Sequence, residues 1–125
     1  MLNTEKWSPI LKSILEFAVA VDPQHVYVNL QIGPGDKSTR QSLFDLARDK
    51  QKTEGVFTVD GTVLSKYHEL YHRDLLLPKR YEELSTDALV QEAQSQWASF
   101  VEQDLPRIKD AIQQWIIETG GARRA

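Results

Sequence analysis

Three observations predict an α+β domain. Val26, Val28, Leu30 and Ile32 alternate with His25, Tyr27, Asn29 and Gln31, the period-two pattern of a strand with one buried side. Leu89, Ala93, Trp97, Phe100 and Val101, then Ile108, Ala111, Ile112, Trp115 and Ile116, recur at helical spacing, which argues two amphipathic helices. Asp60-Gly61 separates two short β-prone runs, 56–59 and 62–64, and that dipeptide is a strong hairpin signal. The expected architecture is about four helices with a small three-stranded mixed sheet and a C-terminal helical hairpin. Residues 1–119 form one domain in this reading, and residues 120–125 form a flexible basic tail.

Taken in order, Ser8-Pro9 opens the first helix, because Ser caps and Pro at the first helical position loses no hydrogen bond. Ile10, Leu11, Ile14, Leu15, Phe17, Ala18 and Val19 give it a wide apolar surface, and Asp22-Pro23 ends it. The strand 25–32 follows, then a turn at Gly33-Pro34-Gly35-Asp36. Ser38 and Gln41 match a capping box, and Leu43, Phe44, Leu46 and Ala47 continue that helix toward Lys52. A second strand at 55–59 would lie parallel to the first through a right-handed crossover. The Asp60-Gly61 hairpin would then start a third strand at Thr62. Ser85, bracketed by Leu84 and Leu89, caps the next helix with a hydrophobic staple. Pro106 opens the last helix and Gly120 stops it, and the short link between these two predicts an antiparallel pair.

Bulk properties exclude several classes. The 125 residues suffice for one domain with a core. A hydrophobic content of 41% and a charged content of 26% match ordinary globular usage, not disorder. The absence of cysteine excludes disulfides and thiolate chemistry. The N-terminal residues lack a signal-peptide pattern. The longest apolar run, 17–21, is too short to span a bilayer. Cytoplasmic location and no membrane partner are the expectations. A net charge of −3, from 15 basic and 18 acidic residues, argues against nucleic acid as a partner.

The one motif that carries chemistry is His68-Glu69-Leu70-Tyr71-His72. On a helix, H-E-x-x-H sets two histidines one turn apart to bind zinc, with the glutamate as general base. The motif resembles that of thermolysin-like peptidases, whose third ligand is a glutamate on a later helix; here that place falls to Glu92. The resemblance implies a zinc-dependent hydrolase with His68, His72 and Glu92 as ligands and Glu69 as the catalytic base. On a strand, the same two histidines stand about 13 Å apart and cannot share an ion. Both geometries remain open for residues 66–77: Ser65 can cap a helix that Pro78 ends, whereas the hairpin signal extends a strand. On a helical wheel, His68 and His72 border the apolar arc of Val63, Leu64, Tyr67, Leu70, Tyr71 and Leu75, which reads as exposed surface. No cofactor is expected, and zinc is the ion that a site here would take.

Two further stretches bear on function. Gly33 to Thr39 follows a strand and opens a helix, as a phosphate loop does. It lacks the Walker spacing, because Asp36 separates Gly35 from Lys37 and Leu30 stands where a glycine is needed. Tyr67, Tyr71, Arg73, Arg80 and Tyr81 are the residue types that dominate interface hot spots. They flank Leu75-Leu76-Leu77, a run that cannot bury all its members on one side. The favoured expectation is a small soluble non-enzymatic module, in the size class of bacterial or phage regulators, immunity proteins and inhibitors. It would bind another protein or a second copy of itself through those five residues. The alternative is the zinc hydrolase.

Overall fold

The computed structural model describes residues 14–22 and 25–119. Strand β1 (Leu15–Asp22) pairs antiparallel with β2 (His25–Ile32), from Leu15 opposite Ile32 to Asp22 opposite His25. From Leu15 onward a strand therefore replaces the first expected helix; the expected start at Ser8-Pro9 lies outside the described residues. The same apolar residues fit both periods. Leu15, Phe17, Val19 and Val21 also alternate with Glu16, Ala18 and Ala20, and they meet Ile32, Leu30, Val28 and Val26 across the ladder. Cross-strand packing of β-branched and aromatic side chains outweighs a local helical preference.

Helix α1 (Lys37–Glu54) is capped by Asp36, not by Ser38. The Asp36 carboxylate accepts from the Thr39 amide at 2.9 Å and from the Ser38 and Thr39 hydroxyls at 2.8 and 3.0 Å. Gln41 bonds Asp45 instead of closing a capping box. The helix start thus carries its own anion. Gly55 ends α1 in the left-handed region, φ 67°, with its amide bonded to Lys50 and Gln51 carbonyls, as a helix C-terminus favours.

Residues 55–67 contain no strand. Val56 and Phe57 are both buried, which breaks the period-two pattern of a ladder strand. The segment runs along the outer edge of β3 with one backbone bond, Thr58 N–H to the Leu70 carbonyl at 3.0 Å. Asp60-Gly61 makes a turn, with φ 79° at Gly61, but Val63 beyond it is exposed and no hairpin forms. The third strand, β3 (His68–Leu76), starts later and pairs antiparallel with β2, giving the order β1-β2-β3. The sheet is wholly antiparallel, not mixed, and the expected parallel crossover is absent.

After the single turn α2 (Arg80–Glu83) come α3 (Thr86–Ser99), a π turn (Phe100–Asp104) and α4 (Leu105–Thr119). The described residues thus hold three long helices, against about four expected. The C-terminal hairpin is also overturned. Backbone at Phe100 and Leu105 stays helical (φ −60°, ψ −51°; φ −58°, ψ −47°), so the chain does not reverse. The Leu105 amide reaches back to the Phe100 carbonyl, the wider π spacing. Pro106 sits in the first turn of α4, where its missing N–H is tolerated.

One layer of helices covers one side of the sheet except at the end of β1, where Val19 and Val21 stay 47% and 72% exposed. Val28, Leu30 and Ile32 from β2 meet Leu43, Phe44 and Ala47 of α1, Phe100 of the π turn, and Ile108, Ile112 and Trp115 of α4. Trp115 Nε1 donates to Ser42 Oγ at 2.7 Å, tying α4 to α1. No described helix is long and apolar enough to cross a membrane.

Candidate functional site

The site lies on the side of the sheet that the described helices leave open. On β2, burying Val26, Val28, Leu30 and Ile32 turns His25, Tyr27, Asn29 and Gln31 to the opposite side. On β3 the alternation is interrupted twice. Leu30 faces Tyr71 whereas Gln31 faces Glu69, so Leu70 has no opposite partner. Tyr27 faces Asp74 whereas Val26 faces Leu76, so Leu75 has none. Each shift lets two successive apolar residues, Leu70-Tyr71 and Leu75-Leu76, stay in the core. The shift at Leu70 also puts Glu69 on the same side as His72 and Asp74, and the three join the residues of β2 on the open side.

There the side chains form one connected network. His25 Nε2 donates to Asp74 Oδ1 at 2.6 Å, and His72 Nε2 donates to the same oxygen at 2.7 Å. His72 Nδ1 lies 3.1 Å from Glu69 Oε2, and Asn29 Nδ2 donates to that oxygen at 3.0 Å. The Tyr27 ring stacks on His72, with centroids 4.7 Å apart and planes 25° apart, and lies 5.1 Å from His25. Burial alone would push the His72 pKa down. The hydrogen bonds to Asp74 and Glu69 outweigh it and hold the imidazole above its ordinary 6.5. Burial likewise opposes ionisation of Asp74, but the His72 and His25 hydrogen bonds hold that carboxyl below 3.8. A shallow pocket of about 190 Å³ continues the open side past Asn29, lined by Glu16, Ala18, Gln31, Pro34 and Tyr67.

The expected zinc set does not assemble. His68 pairs with Ile32 on the core side, is 9% exposed, and meets Phe44 edge-on at 4.8 Å. Its Nδ1 accepts from the Ser65 amide at 3.2 Å, and its Nε2 donates to the Asp60 carbonyl at 2.7 Å. Both nitrogens are committed. Glu92 sits on α3 and pairs with Arg80 at 3.0 Å. Only His72 and Glu69 of the motif reach the open side, because the unpaired Leu70 sends His68 and His72 to opposite sides of the sheet.

The expected contact residues separate in the same way. Tyr67 is 60% exposed and borders the pocket. Tyr71 is buried, and its hydroxyl donates to Asp104. Burial, then the Asp104 carboxylate, raises its phenol pKa. Arg73 lies on the core side, paired with Asp104 at 3.0 Å and bonded to Gln96 at 2.9 Å. Arg80 is held by Glu83 and Glu92, and Tyr81 is half-buried. Of the three leucines, Leu75 and Leu76 are buried and Leu77 is exposed.

No motif in the sequence marks His25, Asn29 or Asp74 as site residues. The alternation at 25–32 already put His25, Tyr27 and Asn29 on one side; their meeting with β3 required the pairing register. No protein-family model matches this chain, and no curated protein or solved structure matches it either.

Proposed function

We propose that the protein is a non-enzymatic binding module that engages another protein through the open side of its sheet. The carrying observation is that the Tyr27–His72 stack and the pocket bordered by Gln31 and Tyr67 lie on one side of the sheet, joined by buried Asn29, which bonds Glu69 and lines the pocket. Asn29 and His72 are already held there by hydrogen bonds, so binding costs less conformational entropy at these residues than on a surface of free rotamers. Tyrosine and histidine rings supply the amphipathic contact area that interfaces favour. Tyr67 stays a contact residue, whereas the side chains of Tyr71, Arg73 and Arg80 are engaged within the fold and half-buried Tyr81 lies away from this surface. A hydrolase built on His68, Glu69 and His72 has no support, because His68 faces the core.

The test is capture of a partner from lysate of the source cells, with wild-type protein and with the double variant Tyr67→Ala/Gln31→Arg. The expectation is that a protein retained by the wild type is lost from the variant at unchanged melting temperature. Retention of that protein at equal strength by the variant moves the contact surface elsewhere. Sedimentation of both proteins shows whether the partner is a second copy of the chain.

A further inference from the structure

We propose that His25, His72 and Asp74 form a binding site for a divalent first-row transition ion of the zinc class. The chain has three histidines and no cysteine. His68 spends both nitrogens on the Asp60 carbonyl and the Ser65 amide. The other two come from different strands, yet both direct Nε2 at one carboxylate oxygen of Asp74. The three ligand atoms all lie within 4.8 Å of one another. Imidazole nitrogen and carboxylate oxygen suit zinc and its neighbours, whereas magnesium and calcium prefer oxygen alone.

The spacing fits with small movements. Bonds of about 2.0–2.2 Å in a tetrahedral arrangement put ligand atoms about 3.4 Å apart. The present contacts of 2.6 and 2.7 Å need to open by less than about 1 Å, which rotation of half-exposed side chains supplies. An entering ion takes the place of the two protons that now bridge Nε2 and Oδ1. The surroundings match those of metal-bound histidine. Glu69 accepts from His72 Nδ1 and is itself held by Asn29, the carboxylate–histidine arrangement that orients a ligating ring. Three protein ligands on an open sheet side leave the remaining position for water or for a donor atom from outside the chain. This site shares His72 with the proposed partner surface, but the two tests fail separately, since its ligands differ from the residues altered in the capture test.

Chelator-treated full-length protein is titrated with Zn²⁺ by calorimetry and with Co²⁺ by visible absorption. One ion per chain is expected, with the intense absorption of low-coordinate cobalt. His25→Ala and Asp74→Ala each lower the affinity by at least about a hundredfold, and Glu69→Gln by about ten- to a hundredfold, at unchanged far-ultraviolet dichroism. In the wild type, Zn²⁺ shifts the ring resonances of His25 and His72 and leaves those of His68 in place. That readout needs no variant to fold. Absence of stoichiometric binding overturns the proposal. So does binding that survives His25→Ala, or a zinc-dependent shift confined to His68.

Discussion

Tyr71 on β3 donates its phenol to Asp104 of the π turn, 33 residues further along the chain. Arg73 reaches the same carboxylate oxygen at 3.0 Å. The π turn and the sheet are therefore pinned at one charged acceptor. Tyr71→Phe removes one hydrogen bond to a charged group and should cost about 1.5–3 kcal/mol. Asp104→Ala should cost more, because it leaves the Tyr71 hydroxyl and the Arg73 guanidinium without their acceptor. Urea denaturation of both variants checks the order, and a neutral Asp104→Ala would show that this contact does not hold the elements together.

His68 is the histidine that serves the core. Its ring packs on Phe44 and bridges the Asp60 carbonyl and the Ser65 amide. His68→Ala should destabilise the fold by about 1–3 kcal/mol, since the packing of the buried ring on Phe44 and its two hydrogen bonds are lost together. The expected measurement is a lower urea midpoint. An equal midpoint in His68→Ala would place the ring in solvent.

Phe100 has 0% exposure, whereas Trp97, one helical turn earlier, is only half-buried. Phe100→Ala should cost about 3–5 kcal/mol through the cavity it leaves. That is a large share of a total stability of roughly 5–15 kcal/mol. Trp97→Ala should cost clearly less, although the tryptophan is the larger side chain. Thermal melts of the two variants test the ranking, and the reverse order would mean that the outer side of α3 is covered.

Asp36 gives an acid-side prediction. The Thr39 amide, then the Ser38 and Thr39 hydroxyls, hold its carboxyl below the ordinary 3.8. A group with a depressed folded pKa stabilises above its unfolded value and loses that contribution as pH falls through the folded one. The melting temperature of the wild type should therefore fall more steeply between about pH 5 and pH 2 than that of Asp36→Asn. Parallel profiles would show that the cap is not ionised in the folded chain.

How much of the fold was legible varies by element. The strand 25–32 was, because strict alternation has one physical reading. The helix around Leu43–Phe44 and those carrying Trp97 and Trp115 were too, because their apolar residues recur over several turns. The segment 15–22 was not, since its apolar residues satisfy both periods and only the β2 ladder decides between them. Asp60-Gly61 supplied turn chemistry without a hairpin, because Val56 and Phe57 both went to the core and the segment never became a ladder strand. Pro106 marked a helix start, but a π turn let the helix run on into it.

The candidate site divides along the same line. By itself the sequence determined that any site with two histidine ligands must draw on His25, His68 and His72, without thiolate help. It also determined that His25, Tyr27, Asn29 and Gln31 share a side. Tertiary structure alone decided which histidines meet. Antiparallel pairing of β3 with β2 brings His72 beside Asn29 and Asp74 opposite Tyr27 in one unbroken register, which ends before the unpaired Leu75. The unpaired Leu70 turns His68 into the core. The physical reason is that a strand alternates sides at every residue. One extra residue reverses every side chain beyond it, and the burial of Leu70 and Tyr71 together sets where that reversal falls.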